Sequence, residues 1–442
     1  MKTPICDFID GYLQKDSYRL HMPGHKGAGG YERDITEIPG ADVLYSADGI
    51  IRESQEAAAK LFGSGKTLYS TEGASLAIRG MLTLLRLYAG PNCRIAAGRN
   101  AHKTFVTAAA LLGLSVSWLW PEEDRGLLSC QITPQGLERF LSDHPVDAVY
   151  LTSPDYLGNM APIRELSQVC HAHKCLLLVD NAHGAYLAFT EPSLHPMAMG
   201  ADLCCDSAHK TLPVLTGGAY LHIRGSAPEA LLSQAETAMA MFASTSPSYL
   251  ILESLDRVNP WLEGRLSGLL SKLLPRLDAM KARLVSKGYR LAGNEPMKLT
   301  LAPKSLGYTG QELAEYLRAH RIEPEYADPD HVVLMPGAES SEEALAYWEE
   351  VLLALSPRPP IPALPPKLPR PQSRIPMDRA ILSPGRELPL SQCLGKCLAS
   401  PTVSCPPAVP VLVCGEQVDE ACLEALGYYG IGYLNVILEE SL

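Results

Sequence analysis

Two short polar segments carry the chain's most specific chemistry: Val179-Asp180-Asn181-Ala182-His183-Gly184 and Asp206-Ser207-Ala208-His209-Lys210-Thr211. Each follows a short apolar run, 175–179 and 203–205, that reads as a buried strand. Parallel strands deliver their last residues to the carboxyl edge of a sheet, where α/β folds place ligands. A carboxylate (Asp180), an amine (Lys210) and two imidazoles (His183, His209) are therefore expected at one edge. A lysine that forms a Schiff base and an aspartate that pairs with a pyridinium nitrogen are the protein groups pyridoxal phosphate chemistry most requires. An amine attacks an aldehyde only when neutral, and burial or nearby positive charge lowers a lysine pKa from its ordinary ~10.4. A carboxylate beside the pyridine nitrogen keeps it protonated, which makes the ring a stronger electron sink. The bland alternatives are a surface lysine and a strand-end aspartate closing an Asx turn.

Further groups fit the same cofactor. The turn Ser70-Thr71-Glu72-Gly73-Ala74-Ser75 precedes a helical pattern. Its free backbone N–H groups suit a phosphate, and the Ser75 hydroxyl can add to them, although any helix start offers as much. Ser207 and His209 can hold further phosphate oxygens. His102, in Arg99-Asn100-Ala101-His102-Lys103, follows the strand pattern 94–97 and can stack on a ring, although a lone histidine is more often structural. The segment Gly63-Ser64-Gly65-Lys66-Thr67 imitates the end of a nucleotide-binding loop, but the required first glycine would fall on Lys60 and no apolar strand precedes it.

These groups need a scaffold, and the chain is long enough for one. Its 442 residues suffice for two or three domains. A formal charge of −11 and the lack of a basic tract argue against nucleic acid as a partner. Twelve cysteines lack zinc or disulfide spacing, so buried free thiols in a reducing cytoplasm are expected and no metal site is assigned. The N-terminus has no signal-peptide core, and the longest uncharged run, 104–120, is shorter than the ~20 residues a bilayer requires. A cytoplasmic protein with no membrane partner follows.

Residues 1–50 read as an arm with one helix at 5–14. Helices are expected at 51–62 and 75–88. Strands at 94–97, 115–119, 148–152, 176–179 and 218–223 then alternate with helices at 102–112, 134–142 and 163–173, the pattern of a mostly parallel α/β sheet. A long amphipathic stretch, 261–287, is expected to break at Pro275. The boundaries follow: an arm (1–50), a large cofactor-binding domain (51–260), a smaller α+β domain (261–356), a proline-rich linker (357–373) and a tail domain (374–442). In the small domain, helices are expected at 310–320 and 341–355, with strands at 298–302 and 331–335.

Taken together, the motifs resemble the Orn/Lys/Arg decarboxylases of bacterial fold type I, in the short form that includes biosynthetic arginine decarboxylases. The resemblance rests on His21-Met22-Pro23-Gly24-His25-Lys26, Asp34-Ile35-Thr36-Glu37, the Arg99–Lys103, Val179–Gly184 and Ser207–Thr211 segments, Ser246-Pro247-Ser248-Tyr249, and Pro406-Pro407-Ala408-Val409-Pro410 leading to Gly415-Glu416. It implies an aspartate aminotransferase-like fold with pyridoxal 5'-phosphate as cofactor. It implies that Lys210 carries the cofactor, Asp180 contacts the ring nitrogen and His102 stacks on the ring. His183 would lie nearby, with Gly73, Ala74, Ser75, Ser207 and His209 around the phosphate. It also implies a homodimer, or a higher homo-oligomer, with interfacial active sites near the 21–26 and 246–249 segments.

The sequence departs from that pattern in places. Glu72-Gly73-Ala74-Ser75 stands where Asn-Gly-Thr-Ser is common, Ala208 replaces a usual threonine, and Cys414 precedes Gly415-Glu416 where proline is usual. Weaker cofactor binding is expected unless Glu72 points away. The expected reaction is decarboxylation of arginine, lysine or ornithine to the corresponding amine in polyamine formation, with Lys210, His102 and Asp180 catalytic. Another reaction of the same cofactor, transamination or elimination, starts from the same residues, and a non-catalytic regulatory homologue would share them. Asp42, Glu37 and Glu416 are candidate carboxylates for the distal cationic group of the substrate.

Overall fold

The computed structural model describes residues 1–121, 129–403 and 409–438. Residues Pro406, Pro407 and Ala408 of the tail motif thus lie outside the described residues. The chain divides into two compact units, 1–95 with 140–151 and 162–270, and 96–139 with 152–161 and 271–442.

The main sheet is built from β1 (Lys66–Ser70), β2 (Arg94–Gly98), β3 (Ser115–Leu119), β4 (Ala148–Thr152), β5 (Leu176–Asp180), β6 (Leu203–Asp206) and β7 (Ala219–Ile223), in the order β1-β7-β6-β5-β4-β2-β3. β5 and β6 run parallel, with Asp180 opposite Cys205. β7 is antiparallel to both of its neighbours, β6 and β1. The carboxyl ends of β1, β5 and β6 therefore emerge at one edge. Leu177, Leu178 and Val179 are fully buried, as are Leu203, Cys204 and Cys205, which is why these strands read as continuous apolar runs.

In the first unit, helix α1 (Pro4–Gln14) is held at its start by Asp256, whose Oδ2 accepts the N–H groups of Ile5 and Cys6. The carboxylate thus satisfies backbone donors that a first helical turn leaves open. Helices α2 (Ile50–Phe62) and α3 (Gly73–Ala89) follow the sequence pattern closely. The Gly63–Thr67 segment runs into β1, so the strand comes after the glycines, where a nucleotide-binding loop needs it before them.

The long helix expected to break at Pro275 does not. Helix Ser267–Lys287 continues through that residue, and the irregularity falls earlier, as a π-type turn over Leu262–Leu266 just after Pro260. A widened turn of this kind accommodates local disruption of the i→i−4 ladder.

In the second unit, four strands are ordered Tyr326–Ala327, Val332–Leu334, Leu299–Ala302 and Arg290–Ala292, all antiparallel. Helices Gly310–Ala319 and Glu342–Ala354 accompany them, the first opened by a Thr309/Glu312 capping box. The proline-rich segment forms no regular element, as missing backbone donors require. The tail contributes a two-stranded ladder, Gly385–Pro389 with Tyr433–Ile437, over an apolar cluster that includes Val411, Leu412, Cys422 and Leu426. No helix among the described residues is long and apolar enough to cross a membrane. Among the described residues, eleven cysteines are free thiols, ten of them buried.

Candidate active site

In the first unit, three loops leave the same edge of the sheet: 71–75 after β1, 181–184 after β5 and 207–211 after β6. Two adjacent glycines tie the first and third together. Gly73 donates its N–H to the Gly217 carbonyl (2.7 Å), and the backbone N–H of His209 donates to the Gly218 carbonyl (3.2 Å). Gly217 has φ +100°, and a Cβ there would lie 2.8 Å from the Thr71 carbonyl oxygen, so only glycine fits.

Lys210 and His183 meet directly, Nζ to Nε2 at 3.0 Å. His183 is buried, whereas Lys210, on the short helix Ala208–Thr211, is exposed in the single chain. Asp180 ends β5 and is 2 % exposed. Its Oδ2 accepts from the Tyr150 hydroxyl (3.1 Å), while Oδ1 faces the Ala182 N–H (3.2 Å) and the Cys205 thiol (3.7 Å). All three donate to the carboxylate and fix its orientation at the end of the strand.

The expected phosphate cradle has matching features. Ala74 and Ser75 lie in the first turn of α3, where backbone N–H groups lack helical partners and the helix dipole favours an anion. Gly73 has φ +71°, with nothing within 4 Å of where a Cβ would stand. The His209 Nδ1 lies 3.0 Å from the Gly218 carbonyl and so carries its proton there. Glu72 turns to the 244–248 loop: its Oε1 accepts the Ser244 N–H at 2.8 Å. Its charge is thus engaged by a backbone donor rather than left unmatched beside an anion. Buried Ser207 adjoins this region on the chain. A buried, hydrogen-bonded carboxylate, a lysine amine, and an open turn at a helix start make a set of groups that fits pyridoxal phosphate.

Sequence reasoning missed the layer beneath. Asp206, fully buried at the end of β6, receives His195 Nε2 (2.9 Å) and His222 Nε2 (3.2 Å) on Oδ2, and the Asn181 amide (2.7 Å) on Oδ1. The His195 Nδ1 accepts the Met197 N–H, which leaves the ring proton on Nε2. The His222 Nδ1 is bonded to Thr67 Oγ1 (2.8 Å). Burial alone would raise the Asp206 carboxyl, but the two histidines hold it well below the usual carboxylate range. Burial pushes His222 below the usual imidazole value. This trio is the group of metal-ligating type found among the described residues, and its ring protons are spent on the carboxylate. The signal available in the sequence was a histidine in the otherwise apolar run of β7.

In the second unit, His102 caps α4 (Lys103–Leu111): its Nδ1 accepts the Thr104 N–H, so the neutral ring carries its proton on Nε2. Three residues earlier, Arg99 forms a fully buried bidentate pair with Glu416, at 2.7 Å on both oxygens. The guanidinium also lies over the rings of Trp118 and Trp120, at 5.1 and 4.8 Å to their centroids. Glu416 is therefore committed to structure rather than available for a substrate cation. Asp42 is similarly occupied, since it accepts the N–H groups of Val43, Asp48, Gly49 and Ile51. Of the three candidate carboxylates, Glu37 is exposed on the arm.

Comparison with known proteins bears on the family and the fold. Residues 3–284 match the family model for the Orn/Lys/Arg decarboxylase major domain. An arginine decarboxylase of Halalkalibacterium halodurans is 28% identical over 96% of this chain and 92% of its own. An arginine decarboxylase of Bacillus subtilis is 29% identical, over 95% and 92%. The solved lysine decarboxylase LdcF of Francisella novicida superposes with a TM-score of 0.79 at 15% identity, covering 99% of this chain and 81% of that one. The fold is the pyridoxal-phosphate fold type I.

Proposed function

The chain belongs to the Orn/Lys/Arg decarboxylase family, and on that premise we propose that it removes the α-carboxyl group of a basic amino acid, arginine foremost, with pyridoxal phosphate. The observation that carries the reading is the Lys210–His183 contact of 3.0 Å, on the sheet edge where β5 ends in Asp180. The two relatives named as arginine decarboxylases support arginine as the substrate.

Pyridoxal phosphate, when bound, supplies an aldehyde for an amine and a ring that accepts the electron pair released from Cα. The chain's own residues supply the rest. Lys210 offers the amine that would hold the cofactor. His183 can take a proton from Lys210 at Nε2 and return it, which provides the neutral amine that attack requires. Asp180, with its three donors, offers a buried negative charge for the ring nitrogen. Ala74 and Ser75 offer N–H groups to the phosphate, with Gly73, Ser207 and His209 around it. His102 is assigned to stack on the ring, and either His102 or Lys210 to return a proton to Cα.

The active form is proposed to be a homodimer or higher homo-oligomer, consistent with an arm whose Tyr18 and Leu20 are 98% and 95% exposed. Large apolar side chains that exposed suit a subunit contact. The free thiols support a reducing, cytoplasmic setting, and the amine product fits a role in polyamine formation. The test is incubation of the cofactor-loaded protein with equal arginine, lysine and ornithine. Agmatine should be the main amine. A keto acid would favour a transamination instead, and an absence of any product with cofactor bound would leave a regulatory homologue.

A further inference from the structure

The groups that hold Asp180 go beyond what its expected role requires. Tyr150 lies within β4, fully buried, and directs its hydroxyl to Asp180 Oδ2 across 3.1 Å. Burial, joined by the negative charge of Asp180, pushes the phenol well above its ordinary value, so it remains a donor. Cys205, on the far side, is raised for the same two reasons and stays a thiol.

We propose that Tyr150 is a positioning residue that holds and aims the Asp180 carboxylate through its hydroxyl, and thereby sets how firmly the cofactor's ring nitrogen holds its proton. This rests on the reading of Asp180 as the ring-nitrogen partner. One proton is shared between ring nitrogen and carboxylate. Without the Tyr150 hydroxyl the carboxylate would lose one hydrogen-bond donor, the shared proton would lie closer to oxygen than to nitrogen, and the ring would be a poorer electron sink. No other bond changes.

The test compares two ligands on cofactor-free protein: pyridoxal phosphate, and its analogue with C–H in place of the ring nitrogen. Tyr150→Phe keeps the ring that fills the core, so the fold is retained. It should bind pyridoxal phosphate roughly tenfold more weakly, as expected for a hydrogen bond to a charged group, and leave the analogue's affinity within about twofold. In the loaded enzyme kcat should fall with KM unchanged. Equal weakening of both ligands, or no change in either, overturns the proposal. Asp180→Asn is the reference. If it discriminates between the ligands and Tyr150→Phe does not, the Tyr150 inference fails while the Asp180 assignment stands. If Asp180→Asn does not discriminate, the ring-nitrogen assignment itself fails.

Discussion

At the scale of single residues, the chemistry reduces to one amine and the proton it must lose. Lys210 Nζ and His183 Nε2 are 3.0 Å apart, so the imidazole can accept the lysine proton directly. Lys210→Ala removes the only amine assigned to the cofactor. Product formation should vanish, and borohydride reduction should attach the cofactor to the Lys210 peptide in the parent protein alone. An unchanged rate in Lys210→Ala would overturn the assignment. The paired motifs were legible because each joins an apolar strand to residue types with few other uses in combination. The partners of those residues were not. Tyr150, Cys205 and His222 come from three strands and His195 from the start of a short helix, and only the tertiary fold brings them to Asp180 and Asp206.

At the scale of elements, the carboxyl edge depends on Asp206, which receives side chains from the loop before β6, from β5's exit and from β7. The folded chain holds Asp206 ionised and His222 neutral below their ordinary values. The unfolded chain binds protons there near pH 6.5 for His222 and about 3.9 for Asp206. It therefore takes up more protons than the folded chain as the pH falls, and these two sites lower stability progressively from about pH 7 downward, His222 first and then Asp206 through and below the ordinary carboxylate range. Denaturant unfolding across that range should show the loss. Asp206→Ala should flatten the acidic part of it and lower stability at neutral pH by about 1–3 kcal/mol for each buried donor left unmatched. An unaltered pH profile in that variant would contradict the assignment. Most strands of the sheet were readable as apolar runs. β1 was not, because Lys66-Thr67-Leu68-Tyr69-Ser70 mixes polar residues whose partners, such as His222, lie on β7. The strands Arg290–Ala292 and Tyr326–Ala327 are too short for periodicity to register. The Pro275 expectation failed because a proline constrains one turn, and this helix places its irregularity at Leu262–Leu266.

At the scale of the whole molecule, the proposed assembly is supported by the exposed Tyr18 and Leu20 of the arm. Sedimentation should give a species of at least twice the 47.9 kDa chain mass. Exchanging Tyr18 and Leu20 for aspartate should shift it toward monomer and reduce turnover together, whereas a fully active monomer would contradict interfacial sites. The fate of the substrate carboxyl group tests the account most directly. Cofactor-loaded protein would be given arginine carrying 13C in its carboxyl group, in deuterated water. Labelled carbon dioxide and agmatine should form in equal amounts, with one deuterium on the carbon that lost the carboxyl group. A product that keeps the label, or a keto acid in place of the amine, would contradict decarboxylation.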